Sequence, residues 1–167
     1  MGSGLGRCVA ALLLALMVAA CGFQLRGQAS LPEAMATTWL NVPDPTSAFA
    51  RELELLLRGN GVEVLDVARE DAAELRIQRA DISRRALTIS GDARVREFEL
   101  VFDLGFSLFA PSGERLLGPE TLRLERDFQF DEQEILGAAT EEELLREDLR
   151  RNMAAALIRR LEAFGRT

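Results

Sequence analysis

The sequence predicts an α+β fold, a two-layer sandwich in which two amphipathic helices pack on one face of a small, mostly antiparallel sheet. Four features predict it, namely strand patterns before and after a turn at residues 111–113 and helical patterns over 46–58 and 140–163. Strands that are apolar on one face need a cover, and amphipathic helices need a surface to bury against. The other sheet face would carry Glu, Arg, Thr and Gln, so we expect it to face water or a partner.

The strongest strand pattern begins at Phe98. Apolar residues occupy every even position from Phe98 to Leu108, and polar or charged residues occupy most of the odd positions. After the turn at 111–113, a further strand places a second apolar set on one face: Leu122, Leu124, Phe128 and Phe130. These two patterns predict neighbouring antiparallel strands.

Two earlier segments also have extended character. Residues 39–42 form a short apolar stretch that ends at Pro43, where a proline forbids continuation of a central strand. Leu75 and Ile77 share one face of a strand, but the alternation slips near Arg79. We therefore expect a β-bulge near Arg79.

The first helix is predicted over 46–58. Asp44 is the expected N-cap, Pro45 the expected first helical residue, and Gly59 follows the end. The helix would bury one face: Phe49, Leu53, Leu56 and Leu57.

The second helix is predicted over 140–163. Thr140 with Glu143 three positions later has the pattern of a capping box, in which both side chains satisfy backbone N–H groups. One apolar stripe follows: Leu145, Leu149, Met153, Ala156, Leu157, Leu161 and Phe164.

The N-terminus has the pattern of an export signal. Arg7 precedes an apolar run of about a dozen residues, shorter than the roughly 20 that a transmembrane helix needs. Val18-Ala19-Ala20-Cys21 resembles the bacterial lipobox, whose cysteine is lipidated and becomes the new N-terminus. The alternative is ordinary signal cleavage with Cys21 incidental. We expect a signal peptide over 1–20, a lipidated tether over 21–37 and one α+β domain over 38–167.

Composition excludes several kinds of site. Removing the first 20 of 167 residues leaves 147, and the loss of Arg7 leaves 19 arginines against 27 acidic residues, a net charge of −8. The chain contains neither lysine nor histidine, so imidazole cannot act as a base or a zinc ligand. The chain is acidic and has no basic run of the kind that would favour nucleic acid as a partner. Cys8 leaves with the signal, so Cys21 is the only mature thiol and no internal disulfide can form.

The start of the mature chain resembles a known family. Cys21-Gly22-Phe23-Gln24-Leu25-Arg26-Gly27, followed by Leu31-Pro32, is similar to the start of the LptE family of lipopolysaccharide-assembly lipoproteins. Weaker similarities lie at residues 59–66, at Glu97-Phe98 and at 156–161. Gly22, at the position where aspartate favours inner-membrane retention in enterobacteria, fits delivery to the outer membrane.

The resemblance implies a function. Family members plug the outer-membrane β-barrel LptD, help it assemble and take part in lipopolysaccharide transport to the outer leaflet. It implies a non-enzymatic protein at the periplasmic side or in the barrel lumen, with no cofactor beyond the covalent lipid on Cys21 and no metal. The alternatives are a lipid-anchored, periplasm-facing scaffold or chaperone for another envelope protein and, as an enzyme, a glycosidase-like pair of carboxylates.

Binding a phosphorylated glycolipid requires side chains that pair with phosphate, and arginine suits this best. The candidates for lipopolysaccharide binding flank the expected hairpin tip around Gly91: Arg84, Arg85, Arg94 and Arg96. The alternative is that they are exposed charges paired across the hairpin, for instance Arg85 with Glu97. Arg126 interrupts an apolar strand face, so we expect a buried carboxylate partner for it.

Overall fold

A computed structural model describes residues 30–89, 95–129 and 135–166. These described residues form five strands and two long helices. In chain order they are β1 (Thr37–Asn41), α1 (Ala48–Gly59), β2 (Glu63–Leu65), β3 (Ala73–Ile89), β4 (Val95–Phe109), β5 (Arg115–Gln129) and α2 (Ile135–Gly165). A 3-10 turn at Glu33–Met35 precedes β1.

The strands form one sheet in the order β2-β1-β3-β4-β5. The long strands β3, β4 and β5 form an antiparallel meander, whereas β1 lies parallel to both β2 and β3. Both helices pack on one side, called here the helix face, which carries Leu100, Phe102 and Leu104 of β4. The other side, called the open face, carries Glu99 and Asp103 of the same strand. The predicted fold class is confirmed, and the parallel pairing of β1 is a feature that the sequence patterns did not predict.

The core lies between the helix face and the two helices. Phe49 of α1 meets Phe102 of β4 edge to face, with ring centroids 5.2 Å apart. The fully buried side chains that α1 and α2 contribute are Leu53, Leu57, Leu149, Met153, Ala154, Leu157 and Leu161. The apolar stripes predicted from the helical period therefore form the core.

The segment before β1 packs on the domain. Met35 is fully buried, and its carbonyl accepts a hydrogen bond of 2.7 Å from the hydroxyl of buried Thr38. Pro32 lies against the end of α2, where a Cβ added to Gly165 would be 3.0 Å from its nitrogen. Residues 31–35, included in the predicted tether, therefore contact the folded domain.

Helix α1 begins later than the sequence pattern suggested. Asp44 does not cap it, because its carboxylate accepts from the backbone N–H and the hydroxyl of Thr46 in a local turn. The N-cap is Ser47, whose hydroxyl accepts from the N–H of Ala50 at 3.2 Å. The prediction of Asp44 as N-cap and of Pro45 as first helical residue was wrong.

Helix α2 begins earlier than predicted, at Ile135 rather than Thr140. Thr140 lies inside the helix, so the predicted capping box is not its start. Buried Ala138 shows that this added turn also packs on the protein.

The meander confirms the predicted bulge, because the register between β3 and β4 shifts between Ile77 and Arg79. Strand β5 is longer than predicted and starts at Arg115. A register shift lies opposite Gly118, so Leu117 reaches the core from the opposite parity to Leu122.

Candidate functional site

The predicted lipidation residue and part of the arginine cluster lie outside what the structure describes. Cys21 and Arg94 fall outside the described residues, and so does the side chain of Arg96. The part of the site that lies within the described residues is the end of β3 that carries Arg84 and Arg85.

The ladder between β3 and β4 points these two arginines in opposite directions. Arg84 lies opposite Leu100, whose side chain is in the core, so Arg84 is on the helix face. Arg85 lies opposite Glu99 on the open face. Adjacent residues of a strand alternate between faces, so the sheet separates the two guanidinium groups.

Arg84 joins β3 to α2. Its Nη1 donates to Oε2 of Glu142 at 3.0 Å, and its guanidinium carbon lies 4.6 Å from the ring centroid of Phe98. Phe98 stacks on Phe128 of β5, with centroids 5.6 Å apart. The guanidinium therefore covers one ring of an aromatic pair while it contacts a helix carboxylate.

Glu142 accepts from two arginines. Nη2 of Arg146, one turn along α2, donates to Oε1 of Glu142 at 2.6 Å, while Arg84 contacts Oε2. Burial disfavours the charged carboxylate, but the hydrogen bonds from Arg146 and Arg84 outweigh it, and the pKa of Glu142 lies below its usual 4.5. Glu142 and Arg146 lie four positions apart on α2, whereas the contact with Arg84 joins residues 58 positions apart in the chain.

Arg85 pairs with a carboxylate on the open face. Its Nε donates to Oε2 of Glu99 at 3.0 Å, its Nη2 contacts the same oxygen, and Glu125 of β5 lies 3.8 Å away. The predicted partner, Glu97, was wrong because the register places Glu99 opposite Arg85. The Glu99 side chain is only 11% exposed, so this pair is better shielded from water than a typical surface ion pair.

A cavity of about 540 Å³ lies at the same end of the sheet. Its described lining is Leu87, Glu97, Asp127, Phe128, Gln129 and Glu141. Three of these side chains are carboxylates and none is an arginine, so the described lining does not favour phosphate.

Arg126 has a carboxylate partner, as predicted, but the pair is not buried. Its Nε lies 3.6 Å from Oδ2 of Asp148 on α2, and the two side chains are 41% and 44% exposed. Its Nη1 also donates to the carbonyl of Glu125 at 2.8 Å. Arg126 lies on β5, an edge strand of the sheet, so its guanidinium reaches water beside α2 instead of entering the core.

A further ion pair joins α2 to the sheet, and sequence reasoning missed it. Nη2 of Arg160 lies 2.6 Å from Oε1 of Glu120, and its Nε contacts Oε2 at 2.8 Å, which is a bidentate geometry. Glu120 has the parity of Leu122, so it faces the helices. The sequence did carry a signal for this pair, because Glu120 is a carboxylate at a helix-facing position of β5 and therefore needs a partner.

The open face carries several arginines and carboxylates that contact each other. Asp103 on β4 lies between Arg79 and Arg123, 3.7 Å and 3.6 Å away. A bidentate contact from Arg76 lowers the pKa of Glu74, against its partial burial. Within the described residues, every buried side-chain N or O atom has a hydrogen-bond partner. This face is polar but internally satisfied.

Across residues 30–89, 95–129 and 135–166, no group of three His, Cys, Asp or Glu side chains could hold a metal ion. No helix in those ranges has both the length and the apolar character that crossing a membrane requires.

The fold matches solved structures of bacterial lipoproteins. The solution NMR structure of an uncharacterized lipoprotein B from Nitrosomonas europaea has a TM-score of 0.70 at 30% identity, over 86% of this chain and 92% of that one. The crystal structure of rare lipoprotein B from Shewanella oneidensis has a TM-score of 0.66 at 24% identity, over 76% and 94%. The class is that of lipoproteins with two helices on an open five-stranded sheet.

Sequence similarity narrows this class to one family. The LPS-assembly lipoprotein LptE of Pectobacterium atrosepticum is 29% identical over 150 residues, 89% of this chain and 80% of the relative. The protein of the same name from Yersinia pestis is 30% identical over 150 residues, 89% and 72%. The profile of the LptE family, described as lipopolysaccharide-assembly, matches residues 35–161. The chain belongs to the LptE family.

Proposed function

We propose that this protein is an outer-membrane lipoprotein that plugs the LptD β-barrel, helps it assemble and takes part in lipopolysaccharide transport to the outer leaflet. The observation that carries the proposal is the family match over residues 35–161, which spans all five strands, α1 and most of α2. The relatives named above share the description LPS-assembly lipoprotein.

The proposed anchor is a diacylglycerol and a palmitate on Cys21. Each acyl CH₂ that enters the membrane contributes about 0.8 kcal/mol, so several chains hold a protein far more firmly than one. A fully extended tether from Cys21 to Ser30 would span at most roughly 30 Å. Because Pro32 lies against the end of α2, this tether would keep that end of the domain near the membrane.

We propose that the protein acts by docking, without catalysis. Glu99 is engaged by Arg85, Glu120 by Arg160 and Glu142 by Arg84 and Arg146. A general acid needs a proton to give near neutral pH, whereas the pKa of Glu142 lies below its usual 4.5 because its hydrogen bonds with Arg146 and Arg84 outweigh its burial. Paired charges suit a rigid module that presents a fixed surface.

The lipopolysaccharide site remains a proposal for Arg84, Arg85, Arg94 and Arg96. Arg84 or Arg85 would have to exchange its carboxylate for a lipid phosphate, which planar guanidinium groups bind in the same bidentate way. The test measures lipopolysaccharide binding by the full chain with each arginine changed to Ala, beside Arg151→Ala, whose partner Glu147 is 55% exposed on α2. Weaker binding at an unchanged melting temperature supports a site residue, and binding equal to that of Arg151→Ala removes it.

The proposed function itself is tested in cells. A tagged chain is purified from detergent-solubilised outer membrane, and we expect LptD in stoichiometric amount. Loss of the protein should make cells sensitive to bulky hydrophobic antibiotics, and re-expression should restore the barrier. Recovery with a different major companion, or an intact barrier after its loss, would instead favour the scaffold or chaperone alternative.

A further inference from the structure

Two aromatic side chains lie on the open face, at one end of the sheet. Within the described ranges, every other aromatic side chain packs in or against the core beside the helices: Phe49, Phe98, Phe102, Phe106, Phe128 and Phe164. Trp39 and Phe109 do not belong to that core. Their chain neighbours Leu40 and Leu108 do, and strand alternation therefore turns Trp39 and Phe109 to the open face.

The strand registers place these two residues in one line across the sheet. Trp39 of β1 faces Leu65 of β2 on one side and Glu74 of β3 on the other, and Glu74 in turn faces Phe109 of β4. Residues that face each other in neighbouring strands share a side of the sheet. The four residues Leu65, Trp39, Glu74 and Phe109 are called here the aromatic row.

The carboxylate within the aromatic row already has its partners. Oε1 of Glu74 accepts from Nδ2 of Asn41 at 2.7 Å, and Arg76 donates to both carboxylate oxygens at 2.8 Å and 2.7 Å. The guanidinium carbon of Arg76 also lies 4.6 Å from the ring centroid of Phe109. A charge that keeps its hydrogen bonds can enter an interface, whereas an unpaired one is costly to bury. A partner could therefore cover the row without leaving a charge unpaired.

The aromatic row lies at the end of the domain from which the tether would leave. Phe109 is the last residue of β4. Glu120, the partner of Arg160 on α2, faces the β4 residue three positions before Phe109. Helix α2 continues from there to Gly165, which lies against Pro32. The proposed lipid anchor would therefore hold the row at the end of the domain nearest the membrane.

We propose that the aromatic row docks on the wall of the LptD barrel at its periplasmic mouth. The inference rests on the proposed function, which supplies both the barrel and the position near the membrane. The centres of protein interfaces are enriched in aromatic residues and arginine, and a few well-packed anchors of these types carry most of the binding energy. Trp39 and Phe109, with Arg76 over the ring of Phe109, have this composition.

The charges beside the aromatic row describe the surface that it fits. Beyond β2, the chain exposes Asp66 and Glu70, while Arg69 engages Asp71. At the other end of the row, Arg115 of β5 is exposed beside the end of β4. A complementary surface therefore has an apolar pocket, with basic side chains on the β2 side and acidic side chains on the β5 side.

A lipid surface fits the aromatic row less well. Helices that bind membranes through an apolar face bury that face roughly 5–10 Å into the boundary between headgroups and acyl chains. Trp39 and Leu65 are instead partly buried on the face of a sheet. Insertion would also bring Asp66 and Glu70 to anionic headgroups, which attract basic segments and repel carboxylates. A protein pocket can cover the row and place cations beside these carboxylates.

Photo-crosslinking in cells tests the contact. The photoreactive residue p-benzoylphenylalanine replaces Trp39 in one full-length chain and Phe109 in another. In the control it replaces Leu55, a 66% exposed apolar residue on α1. We expect adducts with LptD from positions 39 and 109 and none above background from position 55.

The same experiment separates this inference from the proposed function. If LptD copurifies with the chain but positions 39 and 109 give adducts only with phospholipid, only with another protein or no more than position 55, the inference falls and the proposed function stands. If the unmodified chain recovers no LptD, both fall.

Truncation of the anchors measures what the aromatic row contributes. The full chain carrying both Trp39→Ala and Phe109→Ala should recover roughly tenfold less LptD from detergent-solubilised outer membrane. Leu55→Ala removes an exposed apolar side chain elsewhere and should recover as much as the unmodified chain. Trp39→Phe keeps an aromatic side chain and should also retain LptD. Melting temperatures check that each variant folds, and a folded double variant with undiminished LptD would overturn the inference.

Discussion

Glu142 is a side chain through which charge joins the sheet to α2. It is 18% exposed and accepts from Arg84 on β3 and from Arg146 on its own helix. A carboxylate so placed is stabilising only while both guanidinium groups remain, because burial alone would disfavour its charge. Its removal therefore reports on how firmly α2 is held.

Changing Glu142→Gln should lower the free energy of unfolding by about 1 kcal/mol, between the values for buried charged hydrogen bonds and for exposed ion pairs. The matched control is Glu147→Gln, whose pair with Arg151 is 55% exposed on both sides. The control should cost no more than about 0.5 kcal/mol. Urea unfolding of the three proteins measures the difference, and equal midpoints for the two variants would contradict a role for Glu142 in holding α2.

The same pair predicts a dependence on pH. The pKa of Glu142 in the folded protein lies below its ordinary value of 4.5, so the charged form contributes stability that is present above pH 4.5. This contribution is lost as the pH falls through the folded pKa, where the protonated side chain resembles glutamine. The stability difference between the unmodified chain and Glu142→Gln should therefore be full at neutral pH and should shrink as the pH falls below 4.5 and through the lowered pKa of the folded protein. A difference that is constant with pH would assign the effect to packing rather than charge.

Features of the helices and strands that depend on residues close together in the sequence could be predicted. Alternation gave the helix-facing side of β4, and the parity slip near Arg79 gave the bulge. The start of α1 was not predictable with the same certainty, because Asp44 and Ser47 are both good caps and only the local turn decides between them. The parallel pairing of β1 depends on contacts distant in sequence, for which periodicity carries no signal.

The candidate site was predicted less well than the fold. Arg84 and Arg85 were predicted as members of one cluster. They are neighbours on a strand, however, and the alternation of a strand places their side chains on opposite faces of the sheet. The partner of Arg85 could not be read from sequence, since Glu97 and Glu99 both lie across the hairpin at positions of the same parity and only the register decides which of them faces Arg85.

The start of β5 depends on one glycine. Gly118 has a φ of +87°, and a Cβ there would lie 2.7 Å from the carbonyl oxygen of Phe106. Gly118→Ala should therefore destabilise the protein by about 3 kcal/mol, from the left-handed backbone and from contact with a backbone atom that cannot move aside. Gly105→Ala on β4 is the control, because its added Cβ would meet nothing closer than 3.7 Å. Thermal unfolding compares the two, and a tolerated Gly118→Ala would show that the turn can relax.

The two ends of the domain carry different parts of the chain. Pro32 and the end of α2 lie together at one end, where the tether would leave the domain. The pair Ile89 and Val95 lies at the opposite end, because β3 runs from its pairing with β1 at residues 73–76 towards Ile89. A lipid on Cys21 would therefore hold the Pro32 end of the domain near the membrane and leave this end of β3 and β4 away from the anchor.

This arrangement separates anchoring from folding, and the two cysteines of the chain provide the test. Cys21→Ser should abolish incorporation of radiolabelled palmitate and remove the protein from the outer-membrane fraction. Its purified domain should unfold at the same temperature, because residues 30–166 make the described contacts of the core without Cys21. Cys8→Ser should keep both the label and the location, since that residue lies in the expected signal peptide. Palmitate that persists in Cys21→Ser, or disappears in Cys8→Ser, would move the modification away from Cys21 and with it the end of the domain that faces the membrane.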